Sequence, residues 1–474
     1  MTMRRLPVAA PVVLGVAALV LVAALSCGKG GGDPAPTPSP VPSPSPAGDL
    51  TATPVPPPEP TDFRFMYSEF GPTEDIVWMI DPANPQDRVE VTRVPHEEGW
   101  AIVPAVSPDG QTLAYNTMRP DGVNRAYDGQ TYILDLDSGE SELVADFVDL
   151  QTAPRWDPDG QLLYLRKNVG LDVTIIVVDL RPPDEDDEEP PPEDAPPPVR
   201  TILKQDVSDV LAYIPLGFDE EKALLYFVAI QGGTTSGTYL GRYTPATGEA
   251  VATATAVAEA TATAVAATAE AATPTPTPVG TPTPAPSPTP APTPVLTGDV
   301  FLVLSDQIAR DFALSPDAAR VAFSVPGIVD GQFVTQTYVT DIATQEVKPL
   351  EQPANLPPGD QLVPVWRPEG DRITVGGLPA GDDPGRVAVV PLDGGDATLL
   401  APPDQGFDQP LSWAPDGRFL AVTSFDGDSL GNPGRAALVF VAATGQRLPA
   451  PEGNEFQPIG WIAPAAAAEE EAEE

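Results

Sequence analysis

The feature that most constrains this chain is a four-residue corner that returns five times, as Ser107-Pro108-Asp109-Gly110, Asp157-Pro158-Asp159-Gly160, Ser315-Pro316-Asp317-Ala318, Arg367-Pro368-Glu369-Gly370 and Ala414-Pro415-Asp416-Gly417. Proline presets φ at the second position of a type I turn, Ser or Asp accepts a local hydrogen bond at the first, and Gly relieves the fourth. Three and five residues beyond each corner stands an apolar pair: Leu113 and Tyr115, Leu163 and Leu165, Val321 and Phe323, Ile373 and Val375, Leu420 and Val422. That period of two is a strand with one buried face. Before each corner stands an apolar anchor, Trp156, Trp366 and Trp413 in three copies, Val106 and Leu314 in the others.

A third strand follows each pair, such as residues 132–137 or 438–442, and a short fourth follows that, such as 141–145 or 347–350. The unit is a four-stranded antiparallel meander of roughly 45 to 50 residues, the size of a propeller blade. A degenerate corner at 216–220 adds a further unit, and residues 63–67, 76–80 and 89–94 supply three strands with no corner before them. The missing strand is at the other end, where residues 457–462 carry Trp461. The fold class expected is therefore all-β, a β-propeller of about seven four-stranded blades closed by a C-terminal strand that completes the first blade. Six or eight blades are the alternatives if the degenerate unit is misread.

Charge narrows the partners. With 68 Asp and Glu against 25 Lys and Arg, the net charge is -43. Nucleic acid and anionic lipid need basic residues to neutralise phosphate, so neither is expected as a ligand. The single cysteine excludes an intramolecular disulfide, and one histidine, His96, excludes a zinc site built from several His or Cys ligands.

At the front, Arg4 and Arg5 precede an uncharged apolar run over residues 6–25, which reads as an export signal. Ala24-Leu25-Ser26-Cys27-Gly28 resembles the bacterial lipobox, although members of that class place Leu where Ala24 stands. The resemblance implies cleavage before Cys27, its lipid attachment, and an extracytoplasmic protein anchored to the membrane at the cell surface or in the periplasm. The other reading of the apolar run is an uncleaved membrane span.

The expected organisation is a signal peptide with lipobox at 1–27, a Pro, Gly, Ser and Thr-rich spacer at 28–61, the propeller at 62–464 and an acidic tail at 465–474. Two inserts, about 182–198 and 250–297, fall between third and fourth strands and are too poor in core residues to fold on their own. The Thr and Pro density of the second also suits an O-glycosylated stalk.

The stretches Val106 to Tyr115, Leu314 to Phe323 and Trp413 to Val422 resemble the WD-like repeats of TolB-type propellers: an apolar residue, a Ser-Pro-Asp-Gly corner, an Ile-Ala-Phe-like strand. The resemblance implies the fold and leaves function open, since such propellers serve as binding platforms, peptidase gates and enzymes. A Pro-rich spacer stands where TolB has a compact α/β domain, so a Tol-system role is not carried over. Residues 465–474 leave no room for the hydrolase domain of prolyl oligopeptidases, so that activity is not expected.

Within the chain, Gly427-Asp428-Ser429-Leu430-Gly431 matches a Gly-x-Ser-x-Gly string, but a nucleophilic Ser429 needs a base and the only histidine precedes it. A Gly-rich hairpin loop is the expected reading. His96 is expected to be solvent-exposed or a cap. Asp426 with Asp428, or Asp382 with Asp383, present carboxylates for calcium without a complete loop pattern. The recurrent Trp156, Trp366, Trp413 and Trp461 are expected to pack between blades, leaving Trp78 and Trp100 unassigned. No catalytic residue, metal ligand or cofactor is expected. The function expected is a non-catalytic, monomeric binding or scaffold module for a protein or glycan partner. The alternatives are a hydrolase or lyase using carboxylates in the central channel, and a surface-layer or adhesion protein.

Overall fold

The computed structural model describes residues 58–463 except 121–127, 170–171, 182–198, 205–209, 220, 223, 233–235, 244–299, 330–331 and 357–359. The signal segment with Cys27, nearly all of the spacer, both inserts and the acidic tail lie outside the described residues. Every described residue belongs to one unit, 58–474.

The described chain is built of antiparallel strands. β1 (Arg64–Glu69), β2 (Glu74–Ile80) and β3 (Arg88–Pro95) form a sheet with the last strand, β28 (Phe456–Ile462), placed inside β1. The closure expected from the sequence is thus present, with Phe65 paired to Trp461 and Arg64 to Ile462. It hides the edge that an open ring would expose.

Next come β4 (Val103–Val106), β5 (Thr112–Met118), β6 (Gly129–Asp135), β7 (Ser141–Val148), β8 (Arg155–Trp156), β9 (Leu162–Val169), β10 (Asp172–Asp179) and β11 (Val199–Lys204). Four further sheets follow: β12 to β15 (Val210–Asp219, Leu224–Gln231, Gly237–Tyr243, Val300–Ser305), then β16 to β19 (Arg310–Leu314, Arg320–Val329, Gln332–Asp341, Glu346–Pro349). The last two are β20 to β23 (Leu362–Trp366, Arg372–Gly376, Val387–Pro391, Thr398–Leu399) and β24 to β27 (Phe407–Trp413, Phe419–Phe425, Ala436–Ala442, Arg447–Pro449).

The expectation of seven separate four-stranded blades is corrected here. The propeller has five four-stranded blades, and β4 to β11 form one eight-stranded sheet. The cause is local. β8 is only two residues long and covers β9 at Leu163 and Tyr164, so the rest of that edge is open. β7 takes it, pairing Val148 with Lys167, and the Asp149 N–H donates to the Arg166 carbonyl at 2.9 Å.

The corners behave as their chemistry dictates. In each, the fourth N–H donates to the first carbonyl, from 2.8 Å at Gly417 to 3.1 Å at Gly160. The fourth residue has φ between 69° and 76° at the four glycines and 52° at Ala318. The ten residues of the apolar pairs are all buried, none more than 5% exposed. They join clusters spread along the chain, and a further cluster with Phe65, Phe419 and Phe440 lies at the closure. The core is therefore distributed around the ring.

Candidate functional site

The corners occupy one end of the ring. The loops between second and third strands, and those leading from one sheet to the next, occupy the other. Each end has its own fastenings. At the corner end, Trp156, Trp366 and Trp461 donate their indole N–H to the carbonyls of Ala105, Ala313 and Ser412 at 3.0, 2.9 and 3.3 Å. In each case the acceptor is the residue before the anchor of the neighbouring inner strand. Trp413 uses Thr374 Oγ1 instead, at 2.7 Å. These tryptophans are latches between blades, as the sequence suggests. Trp78 is capped by the Arg88 guanidinium, 3.9 Å from its ring centroid, and Trp100 closes a turn onto the Glu97 carbonyl.

At the loop end several ionisable groups are committed to one another. Of the two readings of His96, exposed or capped, the structure shows the second, and the side chain is enclosed. Nε2 lies 2.9 Å from Asp75 Oδ1 and Nδ1 2.9 Å from the Glu97 carbonyl, while the ring stacks on Phe70. Both ring nitrogens thus face acceptors, which favours the doubly protonated imidazolium. Burial opposes that charge, but the hydrogen bonds to Asp75 and Glu97 and the Asp75 charge outweigh it, and the pKa is raised. Asp75 also receives the N–H groups of Gly71 and Ile102. Asp408, fully buried, takes both arms of Arg447 at 2.5 and 3.0 Å.

The Gly427 to Gly431 string is a hairpin loop between β25 and β26, with Ser429 bridged to Asn432. Ser429 Oγ donates to Asp428 Oδ1 at 2.9 Å, and Asn432 approaches the same oxygen at 3.3 Å. The histidine that a serine nucleophile would need is held by Asp75. Asp426 is engaged by the Arg435 N–H at 2.6 Å and its guanidinium at 3.1 Å, which hold its carboxyl below the usual range. The Asp383 backbone closes a small bridge with Ala380. Among the described residues no three His, Cys, Asp or Glu side chains are grouped as metal ligands.

What the sequence did not single out lies at the seam of the eight-stranded sheet. Asn116 Nδ2 holds the carbonyls of Asp149 and Thr152 at 3.1 and 3.0 Å, shaping the loop into β8. Asp149 is buried, with Arg166 Nε 3.4 Å from its carboxylate; burial pushes its pKa up and Arg166 opposes the rise. Arg155 sits on the innermost strand β8, exposed and with no carboxylate partner among the described residues, yet crowded enough that lost hydration lowers its pKa. Above the seam Phe147 stands 42% exposed with the Arg119 guanidinium 4.2 Å and the Lys167 ammonium 5.8 Å from its ring centroid. One signal was legible, since Arg166 and Lys167 interrupt an apolar strand.

No family model matches the chain. Solved structures similar to it include TolB from Acinetobacter baumannii, 15% identical, over 84% of this chain and 66% of that one, with a TM-score of 0.39. Prolyl endopeptidases match at 13% identity over 86% of this chain and 50% of theirs, TM-score 0.47. The propeller domain of the Trilobed protease from Pyrococcus furiosus matches at 12% over 76% and 83%, TM-score 0.43. The chain thus spans two thirds or less of the length of the first two. Likenesses this distant lend nothing to activity or ligand, and the propeller assignment stands on the strands and sheets themselves.

Proposed function

We propose that this chain is a non-catalytic lipoprotein of the cell envelope whose propeller is a binding module for a protein or glycan partner, monomeric and tethered to the membrane through lipid at Cys27. One observation carries the non-catalytic part: His96, Asp426 and Asp408 at the loop end, where a propeller presents its variable surface, are spent on fastening loops. A nucleophile and its base must meet, and Ser429 and His96 each have other partners. Loops from every sheet meet at that end and give a broad surface for recognition.

The enzyme alternative has one group in its favour. Asp311, on the innermost strand β16, has a carboxyl pKa raised by burial, against the opposing charge of Arg310 at 3.3 Å. The test is a panel of ester, peptide and glycoside substrates with the purified domain. No turnover is expected; turnover abolished by Asp311→Asn or Ser429→Ala overturns the reading. For the anchor, Cys27→Ser should release the protein from membranes or leave an uncleaved precursor. Unchanged mass and partitioning would overturn it.

A further inference from the structure

The register between β6 and β7 slips between Gly129 and Gln130: Gly129 faces Val148, Gln130 faces Asp146, and Phe147 is the extra residue of a bulge. Its φ is +59°. In such bulges that conformation is the place of glycine, because a Cβ crowds the backbone there. A large aromatic side chain at this position is strained, and it is also 42% exposed. Stability disfavours it on both counts, while a bulge is a device for re-aiming one side chain.

What Phe147 is aimed into is a pair of cations. Arg119 lies over the ring at 4.2 Å and Lys167 at 5.8 Å. Lys167 comes from the other half of the fused sheet and is placed there by the Val148 to Lys167 pairing. Arg119 already has Asp146 3.9 Å away, itself bonded by Gln130 Nε2 at 2.8 Å, and its backbone N–H donates to the Asp128 carbonyl at 3.1 Å. Lys167 has no carboxylate partner among the described residues.

We propose that this seam docks an acidic segment of a partner protein, in which carboxylates reach Lys167 and Arg119 and an apolar side chain between them rests on Phe147. The proposal rests on the binding-module reading and names its partner chemistry. A small anion would have no use for the ring.

The experiment uses a fluorescein-labelled peptide with Glu on both sides of a Leu pair, its Gln and Lys counterparts, and an oligouronate as competitor. The Glu peptide should bind, and Lys167→Glu should weaken it by about tenfold or more. Phe147→Gly should weaken it comparably without lowering the melting temperature, since glycine suits the bulge. Lys348→Glu, far along the chain in β19, should change nothing. Equal binding of the Glu and Gln peptides, or variants indistinguishable from Lys348→Glu, overturns the site. Displacement by the oligouronate with the same residue dependence overturns the peptide assignment. Binding of the Lys peptide alone, unaffected by these variants, overturns the site but leaves the binding-module reading standing; substrate turnover overturns that reading whatever the peptides do.

Discussion

The sheet of β24 to β27 and the fused sheet of β4 to β11 descend from the same repeat and differ where it matters. In the first, a seven-residue inner strand ends in Trp413, the indole is latched to Thr374, and buried Asp408 is closed by both arms of Arg447. In the second, the inner strand β8 has two residues, Arg155 carries no carboxylate partner among the described residues, and Phe147 is strained and outside the core. A repeat with a full-length inner strand consumes its polar groups. Shortening one strand frees an edge, two halves fuse, and side chains are left over for another molecule.

The largest expected effect tests what both regions depend on. Deleting residues 456–462 removes the inner strand beside β1, with Trp461 against Phe65 and Phe440 at 5.0 and 6.0 Å between ring centroids. The melting temperature should fall by on the order of 10 °C or more, with both regions lost in one transition. A deletion variant melting like the full chain would break the closed-ring comparison.

Next in size is a direct contrast of the two buried acids. Asp408→Ala leaves Arg447 without its counter-charge and should cost about 3–5 kcal/mol by chemical denaturation. Asp149→Ala removes a carboxyl whose contact with Arg166 is longer, 3.4 Å, and whose burial already disfavours its charge. It should cost roughly 1–3 kcal/mol. Equal losses would mean that the seam is as tightly fastened as the regular sheet.

The repeat and the closure were legible in the sequence because turn chemistry and period-two burial are local and repeated. The Pro-Asp-Gly corners dictated hairpins, and the Leu113 to Val422 pairs dictated a core. The fusion was not legible, because it depends on which neighbour reaches the Arg166 and Lys167 edge of β9 first, a competition settled in three dimensions. The enclosure of His96 was not legible for a similar reason. Its polar surroundings, Pro95, Glu97 and Glu98, suggested solvent, whereas its partner Asp75 and its stacking ring Phe70 are more than twenty residues away.

A third, smaller effect follows from His96. Its folded pKa is raised, so the stability it contributes is complete below the unfolded value of about 6.5 and is lost as pH rises through the folded value. As it is the only histidine of the chain, the slope of stability between pH 6 and 8 reports on it. The denaturation midpoint should fall over that range, and His96→Asn should flatten the slope. An unchanged slope in the variant would show that the Asp75 contact is not an ion pair in solution.

The smallest effect separates ordinary strain from strain that serves recognition. Ala318 occupies the left-handed fourth position of a regular corner, with φ +52°, where the other four corners have glycine. Phe147 holds φ +59° at the seam. Glycine relieves the backbone at both, which favours the folded state by about 1 kcal/mol against the greater freedom of the unfolded chain. At Ala318 the gain should appear nearly whole, because only one methyl group leaves the core. At Phe147 it should be offset by loss of the contacts with Arg119 and Lys167, each worth about 0.5–1 kcal/mol at an exposed site. Denaturation should therefore show Ala318→Gly stabilised and Phe147→Gly near parity, while only Phe147→Gly impairs binding of the acidic peptide. Were Phe147→Gly strongly destabilised, the ring would be a structural fastening like Trp413, and the distinction between the two regions would fail.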